Sequence, residues 1–371
     1  MTEKLYDNSR ILQTTAEVCI VEEAENGFDI ATTCTVFFPG GGGQAPDTGS
    51  LNGHEVKFVY EKDGFVFHRI ENRLQVGEMV VLKADWAKRL SDAEIHTGEH
   101  ILSGLALKLF DAKNVGFHMG EEFATADFNI LLTDEQLEKL EDAVNFAIRE
   151  NTPVNITYPA EGELDSLPLR KRPETNEPIR VVEVEGCDLC ACCGTHVART
   201  GEVGLLKILF SEKLRGGTRV AFVCGGRAFG IFRSEHRQIT AIAQSFSTKN
   251  EFAAEQVKKQ AGELETANRK IAELLGSLAK AEARRLFDGA EEVDGEKEVS
   301  AEVELGADAL IPLSKELCAM GKMHAFLFAQ GRYVLASSED SEFDLKAKNT
   351  ELCSKGARGG GRGHLFSGKL G

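Results

Sequence analysis

The sequence predicts an α+β protein in four parts: an N-terminal β-barrel, an α+β core, a long helix or coiled-coil arm, and a small C-terminal α/β domain. Three observations carry that reading. Short runs rich in Val, Ile, Phe and Thr, separated by turns such as Glu25-Asn26-Gly27 and Lys62-Asp63-Gly64, fill the first ninety residues. From Ser91 onward apolar residues recur at helical spacing. Between Glu251 and Phe287 there is no Pro and only two Gly, and an apolar stripe advances in steps of four and three.

Taken in order, Glu17 to Glu22, Phe28 to Phe38, Glu55 to Tyr60, Gly64 to Ile70 and Glu78 to Leu82 read as barrel strands within residues 1–90. Ser91 reads as a cap for a helix with Asp92 and Glu94 in its first turn and Ile95, Leu102, Leu105 and Leu109 on one face. Asp127 to Leu132 reads as a strand. Thr133-Asp134-Glu135-Gln136 then opens a helix to Asn151, with Leu137, Leu140, Val144 and Ile148 inward. Val154 to Tyr158 and Ile179 to Val184 complete the strands of a core over residues 91–240. Residues 241–288 form the arm, whose seam is Val257, Ala261, Leu264, Asn268, Ile271, Leu275 and Leu278. Asp288 to Ser300, acidic and turn-rich, reads as a linker into residues 289–371, which end in Ala357-Arg358-Gly359-Gly360-Gly361-Arg362-Gly363-His364.

Composition narrows the function. Hydrophobic residues at 42% and charged residues at 27% of 371 exclude a disordered chain. No apolar run reaches the roughly 18 residues a spanning helix needs, and Met1 to Arg10 is polar, unlike a signal peptide. A cytoplasmic, membrane-free protein is expected. The net charge of −16 argues against non-specific coating of nucleic acid, which depends on neutralising phosphates, but leaves room for a local basic site.

Cysteine use points to metal chemistry. Cys187, Cys190, Cys192 and Cys193 crowd together in a chain too long to depend on disulfides. His96-Thr97-Gly98-Glu99-His100 sets two imidazoles at i and i+4 on one helix face, where one ion reaches both. Cys192-Cys193-Gly194-Thr195-His196 repeats that spacing. One thiolate and three imidazoles make a four-coordinate set that suits one Zn²⁺ per chain. Two alternatives use the same residues: a structural site of the four clustered cysteines, and an inverted zinc-protease pattern H-x-x-E-H with Glu99 as general base. Upstream, Gly40-Gly41-Gly42-Gly43-Gln44 follows a strand without a Lys-Ser/Thr, so it is no nucleoside-triphosphate loop, though it permits close backbone approach to a ligand.

Together, Phe38-Pro39 through Gln44 and Asp47 to Gly49, His96-x3-His100, and Cys192-x3-His196-Val197 followed by Thr200-Gly201-Glu202-Val203-Gly204 resemble the editing domain of alanyl-tRNA synthetases. The match covers residues 1–240 in the right order, and Arg358-Gly359-Gly360-Gly361-Arg362 resembles the glycine-rich signature of the domain that follows. The chain looks like the long free-standing form of that editing protein, the AlaX family. The resemblance implies a β-barrel followed by a zinc-containing editing core, and an aminoacyl-tRNA deacylase that hydrolyses the ester of tRNA(Ala) mischarged with serine or glycine. It places zinc on His96, His100, Cys192 and His196, and a substrate loop on Gly41, Gly42, Gly43 and Gln44. His118 falls where some relatives carry a pocket-facing Gln, and Glu99 where synthetases carry a small residue. Gln44, Thr48, Thr35 and His118 are candidate partners for a serine hydroxyl, which would leave polar groups unpaired with alanine. A zinc-stabilised tRNA-binding protein without hydrolysis is the alternative function.

Lys355, Arg358, Gly359, Gly360, Gly361 and Arg362 form the expected tRNA contact, since basic residues outnumber acidic ones in the last 21 positions of this acidic chain. The exposed stripe of the arm needs cover, so a homodimer through the arm or the C-terminal domain is expected.

Overall fold

The computed structural model of the chain describes residues 1–171 and 179–371. Two compact units emerge, Met1–Gln238 and Ile239–Gly371.

The first unit opens with a nearly closed, barrel-like sheet of seven strands. Their order is His54–Val56, Gly49–Leu51, Met79–Ala84, Gln13–Ala24, Gly27–Thr32, Phe65–Ile70 and Phe58–Lys62. Val18, Ile30, Leu51, Val59, Val66, Ile70, Val80 and Leu82 fill its interior. The 12-residue strand Gln13–Ala24 serves two halves of the sheet and shifts register between Val18 and Ile20, a bulge that lets one strand turn the barrel's corner. Two expected strands are divided. Phe28 to Phe38 ends at Thr32, and Glu55 to Tyr60 breaks at Lys57, whose N–H donates across to Arg69 O.

Helix α1 (Trp86–Phe110) starts five residues before Ser91. Asp85 is the cap, its side chain accepting from Lys88 N–H, while the Ser91 hydroxyl sits inside the helix and accepts from Arg227 Nε at 2.8 Å. Helix α2 (Asp134–Glu150) agrees closely with its sequence. Thr133 and Gln136 form the reciprocal capping box, Asn151 ends the helix in the left-handed region, and Leu137, Leu140, Val144 and Ile148 are buried. Each such side chain contributes about 1.5–3 kcal/mol of burial. Both helices pack against an antiparallel sheet ordered Asn114–Met119, Ala124–Phe128, Gly217–Cys224, Leu206–Leu214. A second sheet, Val154–Thr157, Val181–Val184 and Asp188–Ala191, carries the cysteine-rich segment, with short helix α3 (Glu161–Leu164) before it.

Helix α4 (Gly225–Ser245) leads out of the first unit, and α5 (Ala253–Asp288) runs for 36 residues in the second. Ala253 at its start and Ala279 and Ala283 near its end are buried, while Val257, Leu264, Ile271 and Leu278 are 46–61% exposed. The supposed linker at Asp288 to Ser300 is instead a hairpin, Glu291–Val293 with Glu296–Glu302. The reason is Glu296: its buried carboxylate accepts from Glu342 N–H and the Ser341 hydroxyl, so an acidic residue serves as an interior strand anchor. The sheet continues through Met323–Ala329, Arg332–Ser337, Leu365–Lys369 and Arg358–Arg362, with α6 (Leu310–Cys318) and α7 (Leu345–Ser354) packed on it. No helix among the described residues is long and apolar enough to cross a membrane.

Candidate metal centre

Helix α1 turns His96 and His100 inward, and the turn after Asp188–Ala191 brings Cys192 and His196 to meet them. The four ligand atoms lie within 4.8 Å of one another. Cys192 Sγ is 3.3 Å from His96 Nε2 and 3.4 Å from His196 Nε2. Tetrahedral ligands about 2.0–2.3 Å from one ion keep comparable spacings.

Each imidazole is oriented through its other nitrogen. His96 Nδ1 lies 2.9 Å from Gln44 Oε1, which also accepts from Thr195 N–H, and Gln44 Nε2 donates to Thr195 Oγ1. That pattern makes Oε1 the acceptor and puts the proton of His96 on Nδ1. His196 Nδ1 is 3.1 Å from Thr97 Oγ1, and His100 Nδ1 is 2.9 Å from Asp188 Oδ2. Arg170 in turn donates two bonds to Asp188, at 2.8 and 3.0 Å. Burial opposes the charge on Asp188, but His100 and Arg170 outweigh it and hold the carboxyl below its ordinary range. Burial likewise opposes a thiolate at Cys192, yet His96, His196 and His100 hold its pKa well below the usual value. Oriented imidazoles around a deprotonating thiol are the donor set a metal ion requires, so these residues fit one.

Backbone geometry brings the parts this close. A Cβ at Gly194 would lie 2.1 Å from His96 Cε1, so only glycine fits there. Gly40, Gly41, Gly42 and Gly43 all have positive φ, and Gly41 and Gln44 exchange backbone bonds at 3.0 Å, closing the loop that delivers Gln44. Arg89 of α1, fully buried, clamps both ends of that loop. It donates to Val36 O at 2.6 Å and pairs with Asp47, whose carboxylate accepts from Phe38 N–H.

A cavity of about 580 Å³ opens onto the cluster. Gly42, Glu99, Asn114, Phe117, Arg170 and Cys193 are among its lining residues. Glu99 reaches it with one carboxylate oxygen held by the Ser103 hydroxyl and by Asn114 Nδ2 at 2.8 Å, and the other 4.0 Å from His100 Nε2. The remaining candidates lie elsewhere. The Gln44 side chain is spent on His96 and Thr195 behind the cluster. Thr35 is inside the barrel, 2.7 Å from His68 Nε2. Thr48 uses its carbonyl to accept from Asp85 N–H, and His118 is an exposed residue outside the cavity lining. Cys187 and Cys190 are buried free thiols, Cys190 lining the cavity, and Cys193 is exposed at its edge; of the four clustered cysteines only Cys192 joins the ligand group among the described residues. The partners of His96 and His100 are Cys192 and His196, where an inverted protease site would have a carboxylate.

In the second unit Arg358–Arg362 is an edge strand paired with Leu365–Lys369, so the glycine run is extended and half of its backbone is engaged in the ladder. Arg358 and Arg362 are exposed, and Lys355 is paired with Glu351.

A barrel-like sheet thus feeds an α+β core whose candidate ligands come from one helix and one turn. Residues 179–221 match the family described as "Threonyl and Alanyl tRNA synthetase second additional domain". Over its full length the chain is 27% identical to the alanyl-tRNA editing protein AlaX-L of Pyrococcus horikoshii, covering 95% of that protein. It is 30% identical over 64% of its length to the mouse alanyl-tRNA editing protein Aarsd1, covering 59% of it. It is 31% identical over 83% of its length to the alanine–tRNA ligase of Halorubrum lacusprofundi, covering 35% of that enzyme. The chain is a relative of the alanyl-tRNA editing proteins, and the likeness to AlaX-L runs from end to end.

Proposed function

We propose that this protein is a trans-editing hydrolase that cleaves the aminoacyl ester of mischarged tRNA(Ala), chiefly seryl- and also glycyl-tRNA(Ala), in the cytoplasm. The observation that carries the reading is the oriented His96, His100, Cys192 and His196 cluster at the floor of the 580 Å³ cavity. One Zn²⁺ held by these four residues would supply a Lewis acid for an amine or a carbonyl beside the scissile bond. Glu99, held by Ser103 and Asn114 beside His100, is a carboxylate of the cavity lining and takes the proton of the attacking water. Gly41, Gly42 and Gly43 form the substrate loop, and Gln44 acts through His96 as a positioning residue. The deacylase then comprises a barrel at 1–90 and a core at 91–240. Two chains pair through an arm at 241–288 or through a domain at 289–371, and that domain contacts tRNA through Lys355, Arg358, Gly359 to Gly361 and Arg362. Release of amino acid from seryl-, glycyl- and alanyl-tRNA(Ala) tests the activity. Serine and glycine should be released and alanine retained; intact seryl-tRNA(Ala) would leave tRNA binding without hydrolysis as the better reading.

A further inference from the structure

We propose that the exposed aromatic face of α4, built from Phe229, Phe232, Arg233 and His236, is a docking surface for unpaired bases of RNA. These residues stand at i, i+3, i+4 and i+7, so one stripe of the helix carries them all. Phe229 is 56% exposed and Phe232 62%, unusual for rings beside a well-packed core. Each ring has a basic companion: Arg233 Cζ lies 4.7 Å from the Phe229 centroid, and the His236 ring lies 6.2 Å from Phe232 in a stacked arrangement. Gly226 and Gly230 leave the helix surface beside the rings bare, since a Cβ at either would meet nothing within 4 Å.

Charge selects the occupant. Residues 213–238 hold six Lys and Arg residues against Glu235 alone, in a chain of net −16. Arg219 and Arg227 are committed to Asp127 and Asp92, while Arg233 and Arg237 are exposed. Rings interleaved with cations receive base faces and phosphates together, whereas a docking helix would meet an apolar stripe broken by charge. The surface rests on the reading that the substrate is tRNA, and it serves binding, separate from the hydrolytic cavity.

The test uses the full-length protein and uncharged tRNA(Ala) transcript, with binding followed by fluorescence anisotropy over a salt series. Phe229→Leu/Phe232→Leu keeps apolar area and removes the rings; affinity should fall about tenfold with an unchanged melting temperature. Phe229→Tyr/Phe232→Tyr should bind as the wild type. Arg233→Ala/Arg237→Ala should lower the salt slope by about two. Wild-type affinity in the Leu variant, equal loss in the Tyr variant, or an unchanged slope in the Arg variant would each overturn the proposal. So would a change of molar mass in Phe232→Asp at constant tRNA affinity, which would assign the face to a protein. A wild-type chain that binds no tRNA at all would instead sink the underlying functional reading.

Discussion

The chain contains two glycine runs that look alike in sequence and do opposite things. Gly40 to Gly43 adopt positive φ throughout and curl into a closed loop that hands Gln44 to His96. Gly359 to Gly361 are extended in an edge strand, and none has positive φ. There the missing side chain is a matter of space: a Cβ at Gly359 would lie 2.4 Å from Tyr333 Oη, and one at Gly361 would lie 2.1 Å from Leu365 O. One run uses glycine's torsional freedom; in the other, Gly359 and Gly361 use its lack of bulk, while Gly360 faces open space. Their neighbours in the fold, not the glycines themselves, distinguish them.

The largest expected effect lies at the clamp of the first run. Arg89→Met leaves Asp47 charged and unpaired in the interior, which costs about 3–5 kcal/mol. Chemical denaturation should show that loss in the first unit, and an equally stable variant would mean the loop needs no clamp. Next, Gln44→Ala frees His96 to turn. Metal affinity, read by competition with a chelator, should drop about 10- to 100-fold while the fold survives.

The contrast explains what was legible beforehand. Two pairs at i, i+4 contain the ligand set because helix and turn geometry are local. The groups that orient those ligands come from anywhere in the chain. Gln44 meets His96 and Asp188 meets His100 only after folding, and isolated arginines such as Arg89 and Arg170 carry no signal in sequence. Thr97 and Thr195 did carry a faint one, each lying next to a ligand histidine. Local signals served α2 well because Thr133 and Gln136 cap it with their own side chains and Asn151 ends it in the left-handed region. They misplaced the start of α1: Ser91 is a cap by residue type, but it is Asp85, just before Trp86, whose side chain meets a free N–H. They also made a linker of Asp288 to Ser300, because acidity suggests solvent unless a partner such as Ser341 is known.

Smaller effects belong to the second run. Gly361→Ala should cost about 1–3 kcal/mol through overpacking against Leu365, lowering the melting of the second unit. Metal content and serine release should be unaffected, and a loss of either would break the division between the runs. Smallest of all, Arg362→Ala should weaken tRNA binding only a few-fold and lower its salt slope by about one. No change in slope would remove Arg362 from the contact surface.

The central claim is that the four paired ligands hold one ion and that hydrolysis depends on it. The direct measurement takes chelator-stripped protein, returns Zn²⁺ in steps, and reads bound metal and serine release from seryl-tRNA(Ala) in the same samples, alongside Cys192→Ala. Activity should rise with metal and level off at one equivalent per chain, and Cys192→Ala should regain neither. Full serine release from protein with no bound metal, or one full equivalent retained in Cys192→Ala, would contradict the account.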